Sequence, residues 1–346
     1  FNASIINPII THSTKNGNIR KVKNDKIDSK GIAKLGLSKD IPVSQFPAKL
    51  VLELRSLTRK YYDLTDERSA HINKLKGDLH TVFPQYLDVF CDVTGKTSTM
   101  ILRQYGTPDK ILRGHKKTMI EKISKASRKG LAKASERYEK LCAAANAAKT
   151  FGCQIDSIYF NIFLTLDLVE KLDSALDSIL NRIRQLITFN KNEKFIQQIK
   201  LLNTIPGVGF LTAVTIMCEI GDFSAFRNPK QLFAYFGLDP EVNESGKFVG
   251  TQLHMSKRGS RIARRAIFAV ALASIRTKRN GEGINPYLRK YYELKSGQKP
   301  KMVAIGAVMH KVCNIVFAVL RDEKAFELRS PEEHCKQYQR PALAAA

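Results

Sequence analysis

Acid is scarce in this sequence. Its 346 residues hold 32 Asp and Glu against 57 Lys and Arg, a formal net charge of +25. A chain this basic usually meets a polyanion, nucleic acid being the commonest, although a basic protein without such a partner stays open on charge alone. Cysteine is sparse too. The six present (Cys91, Cys142, Cys153, Cys218, Cys313 and Cys335) are scattered, with no C-x-x-C pair and no histidine at zinc-ligand spacing. They read as reduced and structural. No uninterrupted run of 18 apolar residues and no signal-peptide core occurs, so the expectation is a chain that neither spans a membrane nor is secreted, in a cytoplasmic setting. The phosphate loop G-x-x-x-x-G-K-[ST], the elbow G-x-S-x-G and the zinc pair H-E-x-x-H are all missing. ATPase, elbow-type hydrolase and zinc-protease readings fall away with them.

What is present divides into two or three units, as the length suggests. Residues 1–48 read as an α/β fragment: a short β-like run from Ala3 to Ile6, a proline turn, a polar connector, then "NDKIDSKGIAKLGL" with helical spacing. Residues 49–194 are almost wholly of helical period, with breaks at "FPQY" and "YGTPDK". Between 162 and 187 a seam of Ile162, Leu166, Val169, Leu176, Leu180, Ile183 and Ile187 alternates steps of four and three, interrupted by Asp173. Such a seam is a coiled coil with another protomer or a long amphipathic helix packed in its own domain. A further unit covers 195–325, and 326–346 reads as a loose tail.

Chemistry concentrates in four places. "NTIPGVGF" sets Gly207, Val208 and Gly209 between two helical patterns, the form of a helix-hairpin-helix turn whose free amides can hold a phosphate oxygen. A plain turn between helices has the same look. Arg258, Arg261 and Arg265 fall at i, i+3 and i+7, one face of a helix if helical, opposite Ala263, Ala266, Ile267 and Val270. Together with Lys257 and Arg264 they make a candidate phosphate clamp, since a guanidinium fork matches phosphate oxygens. A solvated helix face gives the same pattern. Asp25 and Asp28 stand three apart, a spacing that turns two hard oxygen ligands to one side, as Mg²⁺ uses and as an ordinary acidic helix start also shows. Finally, "EVNESGKFVG" places Ser245 and Lys247 in a polar loop upstream of the basic run.

In this order the segments resemble the insertion-sequence 110 family of transposases, the DEDD recombinases related to bridge-RNA-guided enzymes. "NPIITHSTKNGNIRKVKNDKIDSKGIA" is similar to the late part of the family's RuvC-type, RNase-H-like domain. The stretch from "LLNTIPGVGF" to "SKRGSRIARRAI" is similar to its C-terminal transposase domain. The resemblance implies an RNase-H-like α/β fragment over 1–48, a helical and coiled-coil linker over 49–194, and a mainly α transposase domain with a helix-hairpin-helix over 195–325. It implies that Asp25 and Asp28 are the third and fourth acids of a Mg²⁺ site and that Ser245 is the nucleophile joined covalently to DNA. Donor and target DNA, a guide RNA and a dimer or tetramer are its implied partners.

Two departures accompany it. Asn24 and Ser29 stand where the family often has Thr and Ala. The chain opens on Phe1, and the family's first Asp and its Glu are expected upstream of it. Ser256 is a rival nucleophile, better suited to a helix N-cap. A metal-dependent junction nuclease and a DNA-binding relic remain competing readings.

Overall fold

The computed structural model describes residues 25–37, 47–151, 153–191, 193–241, 244–245, 248–249, 254–330 and 332–333. The strand expected from Ala3 to Ile6 lies outside them, as does Lys247. The first described element is helix α1 (Asp25–Gly36).

Two helices of 34 residues each, α2 (Lys49–Val82) and α8 (Asp156–Phe189), pack along one another and form the spine of the molecule. Both stop for local reasons. Helix α2 begins after Pro47 and ends two residues before Pro84, which can neither donate nor continue a helix. The seam is closed inside the chain. Ile162, Leu166, Val169, Leu176 and Ile183 are buried on α8, against α2 rather than a second protomer. Asp173 breaks the apolar row and is met there by Arg68 of α2 in a two-pronged ion pair.

Between the two spine helices the chain folds a compact module of five helices: α3 (Tyr86–Val89), α4 (Lys96–Gln104), α5 (Pro108–Arg113), α6 (Lys116–Ser127) and α7 (Leu131–Phe151). The "YGTPDK" break is built as expected. Gly106 turns with φ +69°, and the Thr107 side chain accepts from the Lys110 amide ahead of Pro108. Tyr86, Ile101, Ile111, Met119 and Leu141 fill the module's core together with Leu75, Leu79 and Val82 of α2 and Ile162 and Leu166 of α8. The stretch foreseen as a linker is thus a folded module at the tip of a helical hairpin.

The other end of the hairpin enters a second core through Leu54, Ile183 and Leu186. That core belongs to the C-terminal unit: α9 (Lys194–Leu202), α10 (Phe210–Ile220), a 3₁₀ turn (Phe223–Ala225), α11 (Pro229–Tyr235), the two-residue strands β1 (Glu244–Ser245) and β2 (Phe248–Val249), α12 (Arg261–Ile275), α13 (Pro286–Ser296) and α14 (Lys301–Asp322). Asn228 and Asn285 each cap the helix that begins with the following proline. Helix α14, although broken by His310, Lys311 and Asn314, is long and apolar enough by length and composition to cross a bilayer. It is instead the central rod of this unit, packed by α9, α11, α12 and α13, with ten buried residues including Val308, Val312 and Phe317. After it, Phe326 donates its amide to Thr204, so the chain beyond 325 stays fastened at that point. Of the described cysteines none is paired, and only Cys218 and Cys313 are buried.

Candidate serine hairpin and nucleic-acid interface

Ser245 sits on a short hairpin. Strands β1 and β2 pair antiparallel, Glu244 with Val249 and Ser245 with Phe248, so only Gly246 and Lys247 separate the partners. Below it a stem joins residues 237–241 to 254–257. The Glu241 amide donates to His254 O at 2.7 Å, the Ser256 amide to Asp239 O at 2.8 Å and the Lys257 amide to Gly237 O at 3.0 Å.

Two glycines make the stem possible. Gly237 takes φ +66°, and a Cβ on Gly259 would lie 2.6 Å from Phe236 C and 2.7 Å from Gly237 N. The backbones meet where no side chain fits. Ser256 belongs to this stem as well: it is buried, and its hydroxyl bonds Asp239 Oδ1 at 2.6 Å. The N-cap role expected of Ser256 falls to Ser260, whose Oγ accepts from the Ala263 amide at 3.1 Å.

That cap changes the reading of the basic run. Helix α12 begins at Arg261, so Arg258 stands in the loop before it and shares no helix face with Arg261 and Arg265. Lys257, with φ +53°, and Arg258 are exposed and without an ion pair among the described residues. Arg264 turns inward, its Nη1 donating to the carbonyls of Phe236, Lys257 and Gly259. It holds the end of α11 to the stem.

Arg261 and Arg265 both reach Asp66 of α2, at 3.1 and 2.8 Å, and Arg265 also covers the Tyr62 ring. Asp66 closes a row that the sequence reading missed. Arg55, Arg59, Tyr62 and Asp66 recur on α2 at steps of four, three and four, the same signal as the apolar seam but polar. Arg59 pairs with both oxygens of Glu219, at 2.9 and 3.0 Å, and Arg55 donates to Cys218 O. Glu219 is only 3 % exposed. Burial alone would raise its carboxyl; bonds from Arg59 and from the Ser260 hydroxyl, with the nearby charges of Arg59 and Arg55, hold it below the usual range instead. One carboxylate therefore ties the spine, α10 and the cap of the basic helix together.

The glycine turn joins α9 to α10. Gly207 has φ +96°, and its α-face lies on Ser274 of α12, whose hydroxyl donates to Pro206 O at 3.0 Å. Val208 is buried, whereas Gly209, the N-cap of α10, is exposed and contributes no capping side chain. No side chain caps the amides that follow it. Asp25 and Asp28 lie in the first turn of α1. Two hard oxygen donors suit Mg²⁺ as part of a larger set, and among the described residues no cluster of three or more His, Cys, Asp or Glu completes one.

Comparison with known proteins gives two family matches. Residues 199–293 match the model described as Transposase IS116/IS110/IS902 family, and residues 1–84 match a DEDD model of the IS110 group described as Transposase. Over 286 residues the chain is 23% identical to the Insertion element IS110 uncharacterized 43.6 kDa protein of Streptomyces coelicolor, covering 82% of this chain and 66% of the relative. It is 24% identical over 311 residues to the Insertion element IS116 uncharacterized 44.8 kDa protein of Streptomyces clavuligerus, covering 89% and 74%. Against the Pilin gene-inverting protein of Moraxella bovis it is 30% identical over 177 residues, 51% of this chain and 52% of that one. The chain thus spans just under two thirds of the first of these relatives and about half of the third.

Proposed function

Because the chain belongs to the IS110/IS116 family of insertion-sequence transposases, we propose that it cuts and rejoins DNA strands through Ser245. The observation that carries this reading is the hairpin holding Ser245 on a glycine-clamped stem, with Lys257 and Arg258, which have no ion pair among the described residues, at its foot.

In the step proposed, Ser245 Oγ attacks a backbone phosphorus and loses its proton to a nearby base. An Oγ–P bond forms, one P–O bond to deoxyribose breaks, and the displaced oxygen leaves as a hydroxyl after taking a proton. Reversal on a second strand rejoins DNA without an external energy source. Lys257 and Arg258 neutralise the charge that builds on the phosphoryl oxygens, and the amides after Gly209 hold a neighbouring phosphate in the manner of a helix-hairpin-helix. Asp25 and Asp28 would be two of the ligands of Mg²⁺, which supplies further charge neutralisation when bound. An RNase-H-like fold for the N-terminal segment, a structured RNA that selects target and donor, and assembly as a dimer or tetramer complete the proposal.

Denaturing gels test it. Incubated with substrate DNA, its RNA and Mg²⁺, the protein is expected to give a detergent-resistant protein–DNA adduct that is lost in Ser245→Ala and kept in Ser256→Ala. An adduct surviving in Ser245→Ala overturns the assignment. Mg²⁺-dependent cutting with no adduct in any variant identifies a junction nuclease, and binding without cutting a relic.

A further inference from the structure

The tip module carries a charge that neither its core nor the serine hairpin uses. Residues 113–140 hold ten Lys and Arg against three Glu, +7 of the chain's +25 in under a tenth of its length. The matched family segments end at residue 84 and resume at 199, so this module lies wholly between them.

Its cations are gathered around one turn. Lys125 lies in the last turn of α6, Arg128 caps that helix in the left-handed region at φ +55°, Lys129 and Gly130 (φ +80°) make the turn, and Lys133 and Arg137 follow one turn apart on α7. All are solvent-facing except Arg137, which lies half-buried over the Phe90 ring. A groove beside α3 is lined by Ser127, Lys129, Lys133 and Arg137 together with two carboxylates, Asp88 and Glu136. Glu136 is already taken by Lys140 at 2.8 Å.

Some exposed helix cations elsewhere in the protein are paired. Arg103 pairs with Asp167 and Glu170, Arg289 with Glu293 and Lys49 with Glu53. Lys125, Arg128, Lys129, Lys133 and Arg137 have no ion pair among the described residues. Like charges held this close repel, and an anionic partner relieves that cost. The partner's kind follows from what accompanies the charge. Between residues 113 and 140 the one large apolar side chain described as exposed is Leu131, and the segment's tyrosine, Tyr138, is half-buried with the Lys116 ammonium over its ring. Single strands are gripped by stacking, duplexes by their phosphates.

We propose that the α6–α7 turn is a second DNA-binding surface, one that grips the phosphate backbone of duplex DNA away from the serine hairpin. This rests on DNA being the substrate. From Asp66, where α2 meets the basic helix, to Val82 at the module's edge is sixteen residues of helix, about 24 Å at ~1.5 Å per residue. A duplex reaching both units is held at points about seven base pairs apart, at ~3.4 Å per pair.

The test is the full chain with Lys125, Arg128, Lys129 and Lys133 each replaced by Gln. All four are exposed, so the unfolding midpoint should match that of the parent. Affinity is measured for a duplex of ~40 base pairs, one of ~12 and a structured RNA of similar mass, over a salt series. On the long duplex the variant should bind about tenfold or more weakly, with a salt slope shallower by about three to four, since each phosphate contact contributes ~0.9. The ~12-pair duplex, about 41 Å long at ~3.4 Å per pair, still reaches both points and should weaken in the same direction. Unchanged affinity and slope on duplex DNA would overturn the proposal, as would a loss seen only with RNA. Because the readout is binding, it stands apart from the fate of Ser245: a missing adduct leaves it untouched.

Discussion

Arg59 and Glu219 show how much rests on single side chains. Replacing Arg59 by Met leaves a carboxylate that is 3 % exposed without its two-pronged partner. Breaking a buried pair costs several kcal/mol; with Arg59 half-exposed and water able to approach, about 3 kcal/mol is expected in chemical unfolding. Replacing both residues by apolar ones of similar volume should restore most of it, and failure to do so would mean the pair does more than satisfy itself. The same carboxyl sets a pH dependence. Its folded value lies below the ordinary one, so its contribution is complete above the unfolded carboxylate value near ~4.3 and is lost as the pH falls through the folded value. Thermal unfolding of Glu219→Gln should therefore flatten with pH in that acid window relative to the parent. None of this was legible in the sequence, where Glu219 ends an apolar helix and Arg59 stands 160 residues away.

At the scale of elements, the serine hairpin depends on backbone contact. A methyl at Gly259 would collide with Phe236 and Gly237, whose backbone atoms cannot swing aside. Gly259→Ala is expected to cost about 2–3 kcal/mol, as overpacking does, and to open the stem. Limited proteolysis should cut residues 242–253 faster and adduct formation should fall, whereas Gly306→Ala on α14, with open space around it, should be neutral or stabilising by about 0.5–1 kcal/mol. Equal proteolysis rates in the two variants would count against the stem. The hairpin's position just upstream of the basic run was readable from the glycines and polar residues of "NESGK". That Arg264 braces the stem while Arg258 faces water was not, because the α12 start hinges on which serine caps it.

For the molecule as a whole, the spine decides what the seam means. Its apolar row is consumed by α2, and Arg68 answers Asp173 within the chain. Changing both to Leu should leave the light-scattering mass as it was, with stability unchanged or raised by about 1 kcal/mol, since a half-exposed pair contributes little. A fall in mass would instead place the seam between protomers. Assembly on DNA, if driven through the spine, must use another surface. Helix α8 turns Phe160, Leu164 and Leu168 outward at steps of four.

Local chemistry determined much of this protein in advance. Periodicity located the helices, proline and glycine located most of their ends, and the order of the glycine turn, serine loop and basic run marked the family. These are signals that neighbours along the chain create by themselves. Tertiary structure decided the rest: that a presumed linker folds into a basic module, that an apolar helix is a core rod, and which cations face solvent. Each depends on partners distant in sequence, Asp66 for Arg261 and Arg265, Arg59 for Glu219, α2 for the seam. A side chain's role is set by the charge and volume it meets, and the chain's order does not contain that meeting.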